Sequence, residues 1–148
     1  MKPRIIPPVY FILFVIVTII GHFFLPIKIV LSPPFTYAGL IVFLAGQFLA
    51  GGARSLFQKK NLTVKLGDEL TSLEASGPFR FSRNPMYLGM TLMLLGGAVG
   101  LGSLSAFVGP VAFWLVVNFV FVPLEERKLE AAFGKQYQDY KRQVRRWF

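Results

Sequence analysis

The chain has no cysteine and a single histidine, His22. Without thiols there is no disulfide framework and no thiolate metal site. One imidazole does not make a metal centre, because such centres are built from several ligands. His22 lies in an apolar run and reads as a packed or interfacial side chain. Negative charge is also scarce: 7 Asp and Glu stand against 16 Lys and Arg, a formal net charge of +9. Internal repeats and low-complexity tracts are absent as well.

Apolar surface is abundant instead. Hydrophobic residues make up 54% of 148, with 16 phenylalanines, and the mean hydropathy is +0.57. A soluble domain of this length cannot bury that much. Lipid is therefore the expected solvent, and residues 1–148 are expected to form one membrane domain.

The first apolar stretch, "VYFILFVIVTIIGHFFL" followed by "PIKIVL", covers 9–31. It is long and bulky, and no small-residue cleavage site follows it, so it reads as a retained helix rather than a secretory leader. The second, 35–53, follows Pro33 and Pro34. Its Gly39, Gly46 and Ala50 recur near helical spacing, which suits close helix contact in lipid, and Gln47 is expected to bond a neighbouring helix. The third and fourth, 86–102 and 104–122, are separated by Ser103 and predict an antiparallel hairpin. A span needs about 20 residues. The expected fold class is all-α: a multi-pass membrane helical bundle of about four transmembrane helices plus an amphipathic C-terminal helix.

Basic residues orient it. Lys28 is the only Lys or Arg in the two short connections after the first and third stretches. The others lie at the N-terminus, within 54–83 or after Pro123. Four spans put those three regions on one side, which the positive-inside rule makes cytoplasmic. The expected location is a prokaryotic inner (cytoplasmic) membrane with both termini cytoplasmic. The basic excess is then a collar facing anionic headgroups, so membrane lipids are expected partners and nucleic acid is not. No obligate protein partner is implied. Segments 54–85 and 123–148 share a side and can form one site.

In the tail, Leu129, Phe133, Tyr137, Tyr140, Val144 and Trp147 are three or four residues apart. This predicts one apolar stripe on a helix. Pro123 either opens that helix or kinks one continuing from the fourth span. Glu125 and Glu126 would fall in its first turn. They either favour the helix dipole there or line the mouth of a membrane cavity. In the loop, Asn84 before Pro85 predicts an N-cap whose side chain satisfies an open N–H. Arg83, Tyr87 and Phe79 cluster around the same helix start, and a helix N-terminus also favours negative ligand groups.

The sequence runs Gly77-Pro78-Phe79, then Arg83-Asn84-Pro85-Met86-Tyr87-Leu88-Gly89, then a hairpin, then Glu125 through Val144. In that order and spacing it resembles the isoprenylcysteine carboxyl methyltransferase and phospholipid methyltransferase superfamily over roughly residues 61–148. The resemblance implies an integral membrane methyltransferase that uses S-adenosylmethionine as cofactor and a lipophilic small-molecule acceptor. It assigns a cofactor pocket to Thr71, Ser72, Leu73, Glu74, Phe79, Asn84, Pro85, Met86, Tyr87 and Glu125, with Arg83 beside them. Glu125, Glu126 and Tyr87 are the candidate catalytic groups. Two positions depart from the family. Its motif histidine is Asn84 here, and its substrate-holding arginine, four residues before the first tail glutamate, is Phe121. The expected acceptor is therefore an amine, thiol or phenol rather than a prenylcysteine carboxylate. Two other readings fit part of the pattern. One is a membrane NADPH-dependent reductase of the sterol reductase type, against which Met90 after Gly89 counts. The other is a non-catalytic membrane scaffold or lipid-binding protein.

Overall fold

The computed structural model describes residues 7–25, 27–59 and 73–148. Helices α1 (Pro7–Phe24), α2 (Ala38–Lys59), α3 (Pro85–Leu101) and α4 (Val108–Val116) come first. A π-helical segment, Val117–Phe121, leads directly into α5 (Val122–Phe133), and α6 (Lys135–Gln143) follows. The described residues contain no strand, only one isolated bridge between Ile29 and Ser103. The fold is all-helical, as expected.

Two helical rods are long and apolar enough to cross a bilayer: Phe35–Lys59, with 25 residues, and Leu104–Phe133, with 30. The apolar helices Pro8–Phe24 and Pro85–Leu101 are shorter. Large apolar side chains such as Ile12, Phe23, Ile41 and Phe48 are exposed along α1 and α2, the arrangement that hydrocarbon solvent favours.

Small residues set the closest helix contact. A methyl built on Gly46 of α2 would stand 2.5 Å from the Gly89 carbonyl oxygen of α3, and one on Gly89 would stand 2.6 Å from that of Gly46. Any side chain there pushes the two backbones apart. Gln47 next to this seam is exposed. It makes no interhelical hydrogen bond among the described residues, contrary to expectation.

Helix α1 packs on α4. Phe11 and Phe14 present ring edges to Phe113, and Thr18 lies against Gly109. At one end of the bundle the connections are tied together. The Gly102 carbonyl accepts the Val30 N–H at 2.8 Å and the Leu31 N–H at 3.1 Å, and the Leu104 N–H reaches the Lys28 carbonyl at 2.8 Å. His22 Nδ1 lies 2.9 Å from the buried Ser103 hydroxyl, so the lone histidine is a packed group with a hydrogen-bond partner.

The π segment has a sequence cause. Pro123 offers no N–H, and its ring crowds the carbonyl four residues back. The helix widens just before it, the Val122 N–H bonding the Val117 carbonyl. Such insertions re-aim the side chains around them. Helical structure continues through Pro123. Glu125 and Glu126 therefore sit inside a continuous rod, not at a helix start, and the dipole account of them does not apply.

The expected single tail helix is broken. Gly134, at φ +49°, ends α5, a backbone conformation that disfavours residues with a Cβ. Val144 is extended beyond the end of α6. The apolar stripe divides accordingly. Leu129, Phe133, Tyr137, Tyr140 and Val144 form one cluster. Trp147 joins a different core of Tyr87, Leu94, Phe113, Val117, Phe121 and Val122.

Candidate active site

The site lies at the α3 start, opposite the His22 end. The short 3₁₀ turn Gly77–Arg80 and the irregular residues 81–84 lead into α3. Pro85, buried, supplies the first helical position, which needs no N–H partner. Asn84 occupies the N-cap but makes no side-chain cap. Its Nδ2 instead donates to the Arg146 carbonyl at 3.1 Å, and its own N–H is taken by Ser82 Oγ at 3.2 Å. The predicted capping role is replaced by a long-range tie, because Arg146 brings an acceptor to the same place.

Tyr87, one turn into α3, donates its hydroxyl to Glu125 Oε1 at 2.7 Å. Its ring stacks on Phe121 at 6.3 Å and 10° between planes. Tyr10 of α1 also meets Phe121, in an edge-to-face arrangement at 5.0 Å. Phe121 and Glu125 are one turn apart, which puts both on the face of the rod that meets Tyr87. Three of the predicted residues, Tyr87, Glu125 and Phe121, are thus brought together. The result is a carboxylate among aromatic faces with one phenol donor.

Glu126 is placed differently. Its Oε1 lies 2.9 Å from Arg83 Nη1, and its Oε2 lies 2.8 Å from Arg146 Nη2. Arg146 Nε adds a contact to Oε1 at 3.3 Å. The Arg83 and Glu126 side chains are each 10% exposed. Arg83 Nη1 is close enough for an ion pair but misses hydrogen-bond alignment, and its Nε is buried without a hydrogen-bond partner. Burial and then the Glu126 charge push the nearby Tyr137 phenol up to about 12, with Arg83 pulling it partly back. Burial also raises Tyr140, whose hydroxyl donates to the Phe79 carbonyl at 2.7 Å.

The remaining predicted residues spread out. Buried Phe79 packs against Phe57 of α2 at 5.2 Å. Leu73 packs on the Tyr137–Tyr140 cluster. Buried Glu74 accepts the Ser76 N–H at 2.8 Å and its hydroxyl at 2.6 Å. Met86 is half-buried at the start of α3. Thr71 and Ser72 lie outside the described residues.

Sequence reasoning missed four participants. Ser82 and Arg146 hold the α3 entry, and Trp147 Nε1 donates to Asn118 Oδ1 of the π segment at 3.0 Å. The available signal was Asn118, a strongly polar side chain in an apolar run, which asks for a partner.

An all-helical bundle with exposed apolar flanks is that of a membrane protein, and its carboxylate–phenol pair at the start of α3 is the candidate site. The phospholipid methyltransferase family model matches residues 34–136, and the chain belongs to that family. Methyl transfer is therefore its class of chemistry. The match includes Asn84, Tyr87, Phe121, Glu125 and Glu126. An uncharacterized protein of Haemophilus influenzae is 44% identical over 62 residues, 42% of this chain and 98% of that relative.

Proposed function

We propose that the protein transfers a methyl group from S-adenosylmethionine to a lipophilic acceptor, at the mouth formed by α3 and α5. The observation that carries this reading is the Tyr87–Glu125 hydrogen bond beside Phe121. A carboxylate and aromatic faces suit a cationic ligand, so the donor set fits the cofactor. When bound, S-adenosylmethionine supplies an activated methyl on a positively charged sulfur. Glu125 and Tyr87 would hold its cationic groups. The Tyr87 hydroxyl fixes the Glu125 carboxylate, and Phe121 keeps water from that face. With the methyl already activated, the chain's task is positioning and exclusion of water.

The acceptor nucleophile is an amine, thiol or phenol. A buried carboxylate acceptor needs a fixed cation, and Phe121, 2% exposed, offers none. For an amine, Glu125 would be the group to take the released proton. All four apolar helices cross the membrane in this reading, the two shorter ones included, with both termini and the site on the cytoplasmic side. The one-sided Lys and Arg supports this orientation.

Calorimetry of the purified protein with S-adenosylmethionine and with NADPH tests the cofactor; binding of NADPH alone would replace this reading with the reductase one. Labelled methyl transfer to a prenylcysteine analogue, an aminophospholipid, an alkyl thiol and a quinol precursor tests the acceptor, and efficient labelling of the prenylcysteine would refute the Phe121 argument. Reporter fusions at residues 30, 70, 103 and 148 test the topology, which an external signal at 70 or 148 overturns.

A further inference from the structure

Residues 144–148 leave α6 as an irregular segment and make contacts that the proposed chemistry does not use. They lie beyond the 34–136 family match. The Arg145 carbonyl accepts the Arg83 N–H at 3.1 Å. The Arg146 carbonyl accepts both Ser82 Oγ at 3.2 Å and Asn84 Nδ2 at 3.1 Å. The Arg146 guanidinium forks onto Glu126 of α5. Trp147 bonds Asn118 and lies 6.3 Å from Trp114, ring to ring.

One residue therefore grips two elements. The backbone of Arg146 holds the irregular entry to α3, whose first turn carries Tyr87. Its side chain holds α5 one residue from Glu125. Trp147 fixes the same segment to the π turn that ends in Phe121. No hydrogen bond or ion pair joins residues 144–148 to Tyr87 or Glu125 themselves.

We propose that residues 144–148 form a positioning strap that sets the Tyr87–Glu125 pair, with Arg146 as its positioning residue, resting on the reading of that pair as the methyl-donor site. Residues 81–84 have no regular secondary structure; beyond the Phe81 and Ser82 N–H bonds to the Pro78 carbonyl, these side-chain and carbonyl ties hold them. Arginine suits the task because its planar fork serves both Glu126 oxygens at once, which a lysine does not. Small errors of placement at a group-transfer site are costly, so the strap acts on binding without touching the ligand.

The test uses the full-length protein in lipid nanodiscs. S-adenosylmethionine affinity is measured calorimetrically for Arg146→Ala, Arg146→Lys and Trp147→Phe, below each variant's unfolding temperature. Because the chain has no cysteine, spin labels at Phe81→Cys and Arg127→Cys, both exposed, report the distance between the α3 entry and α5. Arg146→Ala is expected to weaken binding about tenfold, within the range that misplacing a group at a transfer site costs, and to broaden the distance distribution. Arg146→Lys should fall between Arg146→Ala and the parent, and Trp147→Phe should shift both readouts slightly. If Arg146→Ala is less heat-stable but keeps parental affinity and a narrow distance, the strap is only structural and the proposal fails. If the parent binds no S-adenosylmethionine while Arg146→Ala still broadens the distance, the strap stands and the methyl-donor reading falls.

Discussion

Glu125 and Glu126 are adjacent on one helix and meet opposite surroundings. One step along a helix turns a side chain by about 100°, so α5 divides the site in two. On one side, Glu126 has both oxygens engaged by Arg83 and Arg146. On the other, Glu125 has one phenol partner and a stacked aromatic pair. Among the described residues no Lys or Arg is ion-paired with it. A pair that reads in sequence as one acidic motif is two devices. The Glu126 charge is spent on holding the protein together. In the proposed reading the Glu125 carboxyl is left for a ligand. The following experiments test whether that division is real.

The largest effect is expected on the Glu126 side. Glu126→Ala leaves the Arg83 guanidinium, already 90% buried by its 10% exposure, without its counter-charge. Removing one partner of a buried pair typically costs about 3–5 kcal/mol. The unfolding midpoint in detergent should fall sharply, and yield with it. A midpoint equal to the parent's would mean that the cluster contributes nothing to stability and that the comparison is wrong.

Glu125→Gln should behave the other way round. Stability should change little, since the amide still accepts the Tyr87 hydroxyl. S-adenosylmethionine affinity should drop about tenfold to a hundredfold, the loss of one charge-assisted contact worth about 1.5–3 kcal/mol. Unchanged calorimetric affinity would remove Glu125 from the ligand site. Tyr87→Phe should be milder, because it keeps the stack on Phe121 and loses one neutral donor. A several-fold loss of affinity is expected, on the order of 0.5–1.5 kcal/mol, and a loss as large as that of Glu125→Gln would mean that the hydroxyl itself contacts the ligand.

How much of this could be read from the sequence depends on the range of each interaction. The apolar runs were legible because lipid constrains composition over many consecutive residues. The small residues of α2 announced a close helix contact, and the α2–α3 seam supplies it at Gly46 and Gly89. The grouping of Tyr87, Phe121 and Glu125 came from a family pattern whose spacing the helices reproduce. The break at Gly134 was hidden by apolar periodicity that continues across it, although a glycine at the end of a helical run is a recognised stop signal. The Asn84 side chain went astray because its partner is 62 residues away, while capping rules count only the next turn. Arg146 carried no signal in the sequence for the same reason: its two grips are visible only once α5 and the α3 entry are side by side.

The smallest effect tests whether the two glutamates are electrically separate. Tyr137 is 1% exposed and feels Glu126 as a charge opposing ionisation, so its phenol rises from 10.0 to about 12. Because the folded value is raised, the neutral phenol is the form the fold retains. Its contribution to stability is fully present below about pH 10 and is lost as pH climbs through about 12. An alkaline titration followed by phenolate absorbance should therefore contain a late step, assigned by its disappearance in Tyr137→Phe. Glu126→Gln keeps the side-chain shape and removes the opposing charge, so that step should move to lower pH. Glu125 is not among the groups that shift Tyr137, and Glu125→Gln should leave the step in place. If both variants displace it equally, α5 does not partition the site, and the two glutamates must be treated as one acidic pair.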